Sequence, residues 1–159
     1  MHLVPIPRDG NVSLPGITLP EVATAVIAST VQLYALRGYV EPWVGYLAIE
    51  GNDCVGCCGF SSPPVREAAE IAYFTYPGFE RRGIATRMAQ RLISIAQECD
   101  PSVRIIAHTQ AEENASNHIL KKLGFALTAT IDDPEDGKIW EWSYEPADGR
   151  VRVGVSTQG

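Results

Sequence analysis

Nowhere in these 159 residues does an apolar run approach the length needed to cross a bilayer. The opening MHLVPIPRDG lacks both the charged and the apolar region of a signal peptide. These two absences predict a cytoplasmic chain with no membrane partner. Positive charge is also scarce: 13 Lys and Arg stand against 19 Asp and Glu, a formal net charge of -6. A general nucleic-acid binder needs a basic face for phosphates, so that class is set aside, and a cationic or amine-bearing partner fits better. The histidines (His2, His108, His118) are too few and too scattered to complete a metal site with the four cysteines Cys54, Cys57, Cys58 and Cys99. Cys54 and Cys57 have zinc-knuckle spacing, but no second ligand pair matches them. CVGCC also reads as a strand, in which thiols act as small core hydrophobes. The expectation is buried, reduced thiols and no metal.

What is present is ordinary for a globular protein, 45% hydrophobic and 20% charged. The length predicts a single domain over 1–146, followed by a loosely ordered tail over 147–159 whose ADGRVRVGVSTQG shows no periodicity. Residues 1–19, broken by prolines and glycines, predict a short strand plus loop. Val22, Val26, Ile27, Val31 and Tyr34 recur at helical spacing, predicting a helix from Pro20 to Arg37 that stops at Gly38. WVGYLAIE and CVGCCGF read as a hairpin across GND, and EIAYFTY as a further strand. A second helical stripe runs from Gly83 to Glu98, then comes the strand VRIIAHT. NASNHILKKLG is a helix closed by Gly124, and FALTATID and KIWEWSYE are strands joined across DPEDG. Antiparallel strands feeding a strand–helix–strand unit predict a mixed α/β sheet with helices packed on its faces.

The stretch TYPGFERRGIATRMAQ is unusual. Helix starts favour Ser, Thr, Asp or Asn as caps and acidic residues in the first turn. Here Arg81 and Arg82 stand at the mouth instead, followed by Gly83. Unpaired N–H groups and the positive end of the helix dipole form an anion site, and a glycine lets the ligand approach the backbone. The alternative is a solvated basic helix face. No Walker loop and no GxGxxG occurs, so the ligand would be some other phosphate compound.

ERRGIA after EIAYFTYPGF resembles the pyrophosphate loop of the GNAT family of N-acetyltransferases. NASNHILKKLGF is similar to that family's second motif, and DPEDGKIWEW resembles its RimJ/RimL-like branch. The resemblance covers roughly residues 20–145 and implies the GNAT fold, a mostly antiparallel sheet with a central splayed parallel pair, here EIAYFTY and VRIIAHT. It implies acetyl-CoA as co-substrate: the pantetheine arm on backbone groups of Phe74, Thr75 and Tyr76, and the pyrophosphate on N–H groups of Arg82, Gly83, Ile84, Ala85 and Thr86 with Arg81 adding charge. Asn114 would reach the cofactor arm and Ser116 the sulfur. Glu70, at the start of the central strand, is the candidate general base. Three residues depart from the family pattern. Glu80 replaces the loop's Gln or Arg and is expected to point away or pair with an arginine. Leu120 replaces a tyrosine acid, so the catalytic acid would be Ser116 or a water instead, and Asn114 stands two rather than three residues before Ser116.

The implied reaction is direct transfer of acetyl to a primary amine, on a small molecule or a peptide N-terminus, with a homodimer through C-terminal edge strands as one arrangement. Tyr73, Tyr76, Trp140 and Trp142 are candidates to line the acceptor pocket. The rival reading is a weakly catalytic or non-catalytic acyl-CoA-binding module on the same fold.

Overall fold

The computed structural model describes residues 1–146, so the expectation for 147–159 lies outside the described residues. The chain forms two compact units, the first Met1–Ile105 and the second beginning at Ile106.

The first unit contains β1 (His2–Pro5), α1 (Glu21–Arg37), β2 (Gly45–Glu50), β3 (Asp53–Phe60), β4 (Ala68–Thr75) and α2 (Ile84–Cys99), and it ends as β5 (Arg104–Gln110) begins. β1 to β4 form an antiparallel series in chain order. α1 starts just after Pro20, whose ψ of 161° is extended, and ends at Gly38 with φ 102°. Tyr34 pins it to the sheet: its hydroxyl donates to Ile6 O at 2.8 Å and accepts from Gly45 N at 2.9 Å. The predicted stripe of α2 is realised, with Ile84, Met88, Ala89, Leu92, Ile93 and Ala96 all buried against β3 and β4. Burial of each large side chain stabilises the unit by roughly 1.5–3 kcal/mol.

α1 and α2 cover opposite faces. A Cβ at Gly45, which pairs with Gly59, would meet Thr30 of α1, whereas one at Gly56 would meet Met88 of α2. Gly56 and Gly59 are an odd number of positions apart on β3, so their outward directions oppose. Gly59 also allows a close backbone approach. A Cβ there would stand 2.7 Å from both Gly45 Cα and Val44 O. β5 begins beside the start of β4, with Arg104 N donating to Glu67 O at 2.7 Å. The fold is mixed α/β, with antiparallel pairing inside each unit.

The second unit holds the rest of β5, α3 (Ala115–Leu123), β6 (Phe125–Asp133) and β7 (Gly137–Tyr144). β7 pairs antiparallel with both β5 and β6. The DPEDG turn closes as its composition predicts: Asp133 Oδ1 accepts from Glu135 N at 2.8 Å and Asp136 N at 2.9 Å. Trp142 is buried and its indole N–H donates to Thr109 Oγ1 at 2.9 Å, which satisfies the one polar atom of a large core side chain. α3 ends at the left-handed Gly124 with Lys121 and Lys122 in its last turn. Among the described residues, no helix is long and apolar enough to cross a membrane.

Candidate functional site

The loop between β4 and α2 enters the helix through two left-handed residues. Arg81 and Gly83 both have positive φ, 68° and 74°, so the backbone turns twice within a short span and directs successive N–H groups toward one side. Gly83 is the N-cap of α2, with no side-chain cap and no acidic residue in the first turn. The N–H groups of Ile84, Ala85 and Thr86 precede the first helical bond, Arg87 N to Gly83 O at 3.1 Å. A Cβ at Gly83 would meet nothing within 4 Å, so the space above these donors is open. Arg81 and Arg82 are exposed around it, and the Arg82 guanidinium lies 5.3 Å from the Phe79 ring centroid.

Among the described residues Glu80 pairs with no arginine. Its Oε1 accepts from Gly78 N at 2.8 Å, capping the Pro-Gly turn. Arg87 is the arginine that pairs, with Glu50 of β2 at 2.8 Å. The bond from Arg87 and its charge hold the Glu50 carboxyl below the usual carboxylate value. Sequence spacing gave no sign of this pair, since 37 residues separate its members.

The register of β4 divides its backbone groups between two edges. Tyr76 N bonds Val55 O at 2.9 Å and Ser61 N bonds Glu70 O at 2.9 Å. These two bonds bracket the unbroken pairing with β3 and place Glu70, Ala72, Phe74 and Tyr76 in that ladder. The intervening residues, Thr75 among them, direct N–H and C=O to the opposite edge. Of the three residues expected to offer backbone to a pantetheine arm, only Thr75 faces that edge. Tyr76 also uses its carbonyl, which accepts from Phe79 N at 3.1 Å.

The Tyr76 hydroxyl is buried, with no oxygen or nitrogen partner among the described residues. It stands near the Cys57 thiol, and burial pushes both groups up. Burial likewise raises the Cys54 thiol to about 11 and holds Cys58 protonated. These thiols are inert core groups at neutral pH rather than nucleophiles.

Glu70, Ala72 and Phe74 alternate onto the α1 face of β4. That face holds an apolar cavity of about 220 Å³, whose walls include Leu33, Trp43, Tyr46, Ala72 and Phe74. Tyr73 also contributes to it, whereas Tyr76 does not. α1 and β2 supply much of the wall, and neither was assigned to a site from sequence.

In the second unit, Asn114 is the N-cap of α3, and its Oδ1 accepts from Asn117 N at 3.0 Å. That oxygen is engaged in capping, which leaves the amide NH₂ for any other partner. Ser116 is half-buried on the first turn. Asn117, which the sequence reading passed over, is fully buried. Its NH₂ donates to Glu112 O, and its Oδ1 has no partner among the described residues. His108 is half-buried and bonds Glu141 Oε1 at 3.0 Å. Trp140 and Trp142 pack edge to face with centroids 6.2 Å apart.

Residues 13–126 match the family described as acetyltransferase (GNAT) domain. This chain belongs to the GNAT acetyltransferase family. Among curated proteins, it is similar to the L-amino acid N-acyltransferase MnaT of Escherichia coli, 30% identical over 78 residues. That match spans 48% of this chain and 44% of the relative, so it covers less than half of either. Among solved structures, RimL ribosomal-protein acetyltransferase in complex with coenzyme A superposes with a TM-score of 0.61 at 20% identity, covering 79% of this chain and 72% of that one. A spermidine N-acetyltransferase chimera from Vibrio cholerae and hSSAT gives a TM-score of 0.65 at 11% identity, covering 91% and 95%. At these identities the likeness is one of fold. Within the GNAT domain, the ERRGIA motif read from sequence is the double left-handed turn at the mouth of α2.

Proposed function

We propose that this GNAT domain transfers an acetyl group from acetyl-CoA to a primary amine by direct attack in a ternary complex. The observation that carries the reading is the open turn at Arg81–Thr86. Its N–H groups, helix dipole and flanking arginines suit a pyrophosphate, in a chain whose formal net charge is -6. The named relatives support an amine nitrogen as acceptor, since their acceptors are amino acids, a ribosomal protein and spermidine.

In the proposed reaction the neutral amine attacks the thioester carbonyl carbon, the C–S bond breaks, the thiolate takes a proton and the new amide nitrogen loses one. Glu70, on the β4 face that holds the cavity, is the proposed base. Thr75 offers backbone to the pantetheine arm. The roles of Asn114 and Ser116 toward the cofactor rest on the family resemblance alone. Cys54, Cys57 and Cys58 are not covalent carriers, because burial raises their thiols and keeps them protonated.

Leu120, fully buried where the family often has a tyrosine acid, favours as second reading a module that binds acyl-CoA without turnover. Calorimetric titration with acetyl-CoA, with ADP and desulfo-CoA as controls, tests the first reading on wild type and Gly83→Glu. Binding that needs the pantetheine arm and is lost in the variant supports it, and equal binding of ADP rejects it. Release of CoA thiol in the presence of an amine then separates enzyme from module.

A further inference from the structure

The cavity on the α1 face of β4 has a chemistry of its own. It measures about 220 Å³, and no Asp or Glu is among its lining residues. Two of the three tyrosines among its lining residues have engaged hydroxyls: Tyr34 bridges Ile6 O and Gly45 N, and Tyr46 donates to Pro42 O at 2.6 Å. Its wall is therefore aromatic and aliphatic, with little unsatisfied polarity to hold a charged group.

No charged side chain is among the lining residues. Outside the wall, Arg37 Nη1 donates to the carbonyl of Ser61, a lining residue, at 3.4 Å, so one cation stands beside the cavity. Glu70 lies on the β4 face that holds the cavity. A single ammonium can be deprotonated beside Glu70, but a second ammonium on the same molecule would meet either the apolar wall or the Arg37 guanidinium. Both positions are unfavourable, the first through desolvation and the second through like charge. A dry apolar cavity of about 150 Å³ is enough to hold benzene, so this one accommodates a ring and a short linker. Phe74, 49% exposed at the cavity, offers an aromatic face to such a group.

We infer that the acceptor is a small primary amine carrying one aromatic or branched aliphatic group, which fills this cavity, and that it is not a polyamine. The inference rests on the N-acetyltransferase reading, and its tests are chosen to fail separately from it. The first test measures CoA release at saturating acetyl-CoA for 2-phenylethylamine, isoamylamine, ethanolamine, spermidine and an alanine-initiated peptide. The expected result is kcat/KM for the two apolar amines at least about tenfold above the other three, a modest demand on a hydrophobic pocket.

The second test needs no turnover. Trp43 lines the cavity, so 2-phenylethylamine is expected to quench its fluorescence saturably, and the change should disappear in Trp43→Phe. Ala72→Phe, which fills the cavity from β4, is expected to abolish both the quenching and the ring preference. Leu33→Ala, which enlarges it from α1, is expected to shift preference toward 2-naphthylethylamine. Calorimetric acetyl-CoA binding confirms that each variant is folded. A preference for spermidine or the peptide in an enzyme that binds acetyl-CoA overturns the inference and leaves the enzymatic reading standing. Absence of saturable Trp43 quenching also overturns it, whatever acetyl-CoA does.

Discussion

Arg87 Nη1 lies 2.8 Å from Glu50 Oε2, and Nη2 of the same guanidinium reaches Arg82 O at 3.3 Å. A side chain from the first turns of α2 thus ties the anion loop to the last residue of β2. Arg87 holds the loop's shape and is largely neutralised by Glu50, so the positive charge offered to a ligand comes from Arg81, Arg82 and the helix dipole.

Replacing Arg87 with Gln should loosen the loop while leaving its N–H donors in place. The expected outcome is a roughly threefold to tenfold loss of acetyl-CoA affinity, read by calorimetry. The pair should also be pH-dependent in a defined direction. Glu50 is held below its ordinary value of 4.5 by the Arg87 bond. Its contribution is therefore present above that value and lost as pH falls through the lowered one. Thermal melts from pH 6 downward should show a smaller acid-induced drop in Arg87→Gln than in wild type.

Arg81 adopts φ 68° with a full side chain, a conformation that costs an L-residue about 1–2 kcal/mol. Arg81→Gly is expected to raise or preserve the melting temperature while lowering acetyl-CoA affinity, because strain and charge are removed together. A loss of stability without loss of affinity would show that Arg81 acts structurally.

Gly59→Ala should be among the most damaging small substitutions. The new Cβ would stand 2.7 Å from Gly45 Cα and Val44 O, both backbone atoms that cannot swing aside. Destabilisation of about 1–3 kcal/mol is expected in chemical denaturation.

The buried thiols and phenols predict alkaline lability. Burial raises Cys54 to about 11 from 9.0 and Tyr46 to about 12 from 10.0, and Cys58 and Tyr76 move in the same direction. Below the unfolded values these groups are protonated in both states and contribute no pH dependence. As pH rises past them, the unfolded chain loses protons that the folded chain retains, so stability falls through that window. The slope approaches about 1.4 kcal/mol per pH unit for each such group. Melts from pH 7 to 11 should show the fall beginning near the ordinary thiol value, and Cys58→Val should make it shallower.

Local features were legible where chemistry and spacing are local. The stripe of α2, the Gly38 and Gly124 stops, the GND and DPEDG turns and the family motifs all depend on residues a few positions apart. The Arg87–Glu50 pair, the Tyr76–Cys57 neighbourhood and the capping role of Glu80 were not read. The first two depend on strand pairing. The third is local, but it turns on which of two nearby partners, a backbone N–H or a guanidinium, the carboxylate takes.

By itself, the sequence determined the family, the order of elements and the position of the turn into α2, because periodicity, turn residues and a short motif are written in neighbouring positions. Tertiary structure decided which β4 residues face away from β3 and which of the loop's arginines is neutralised. It also decided that α1, β2 and β4 enclose an apolar cavity. Register, burial and through-space pairing are set by how distant segments meet, and no single stretch of chain carries that information.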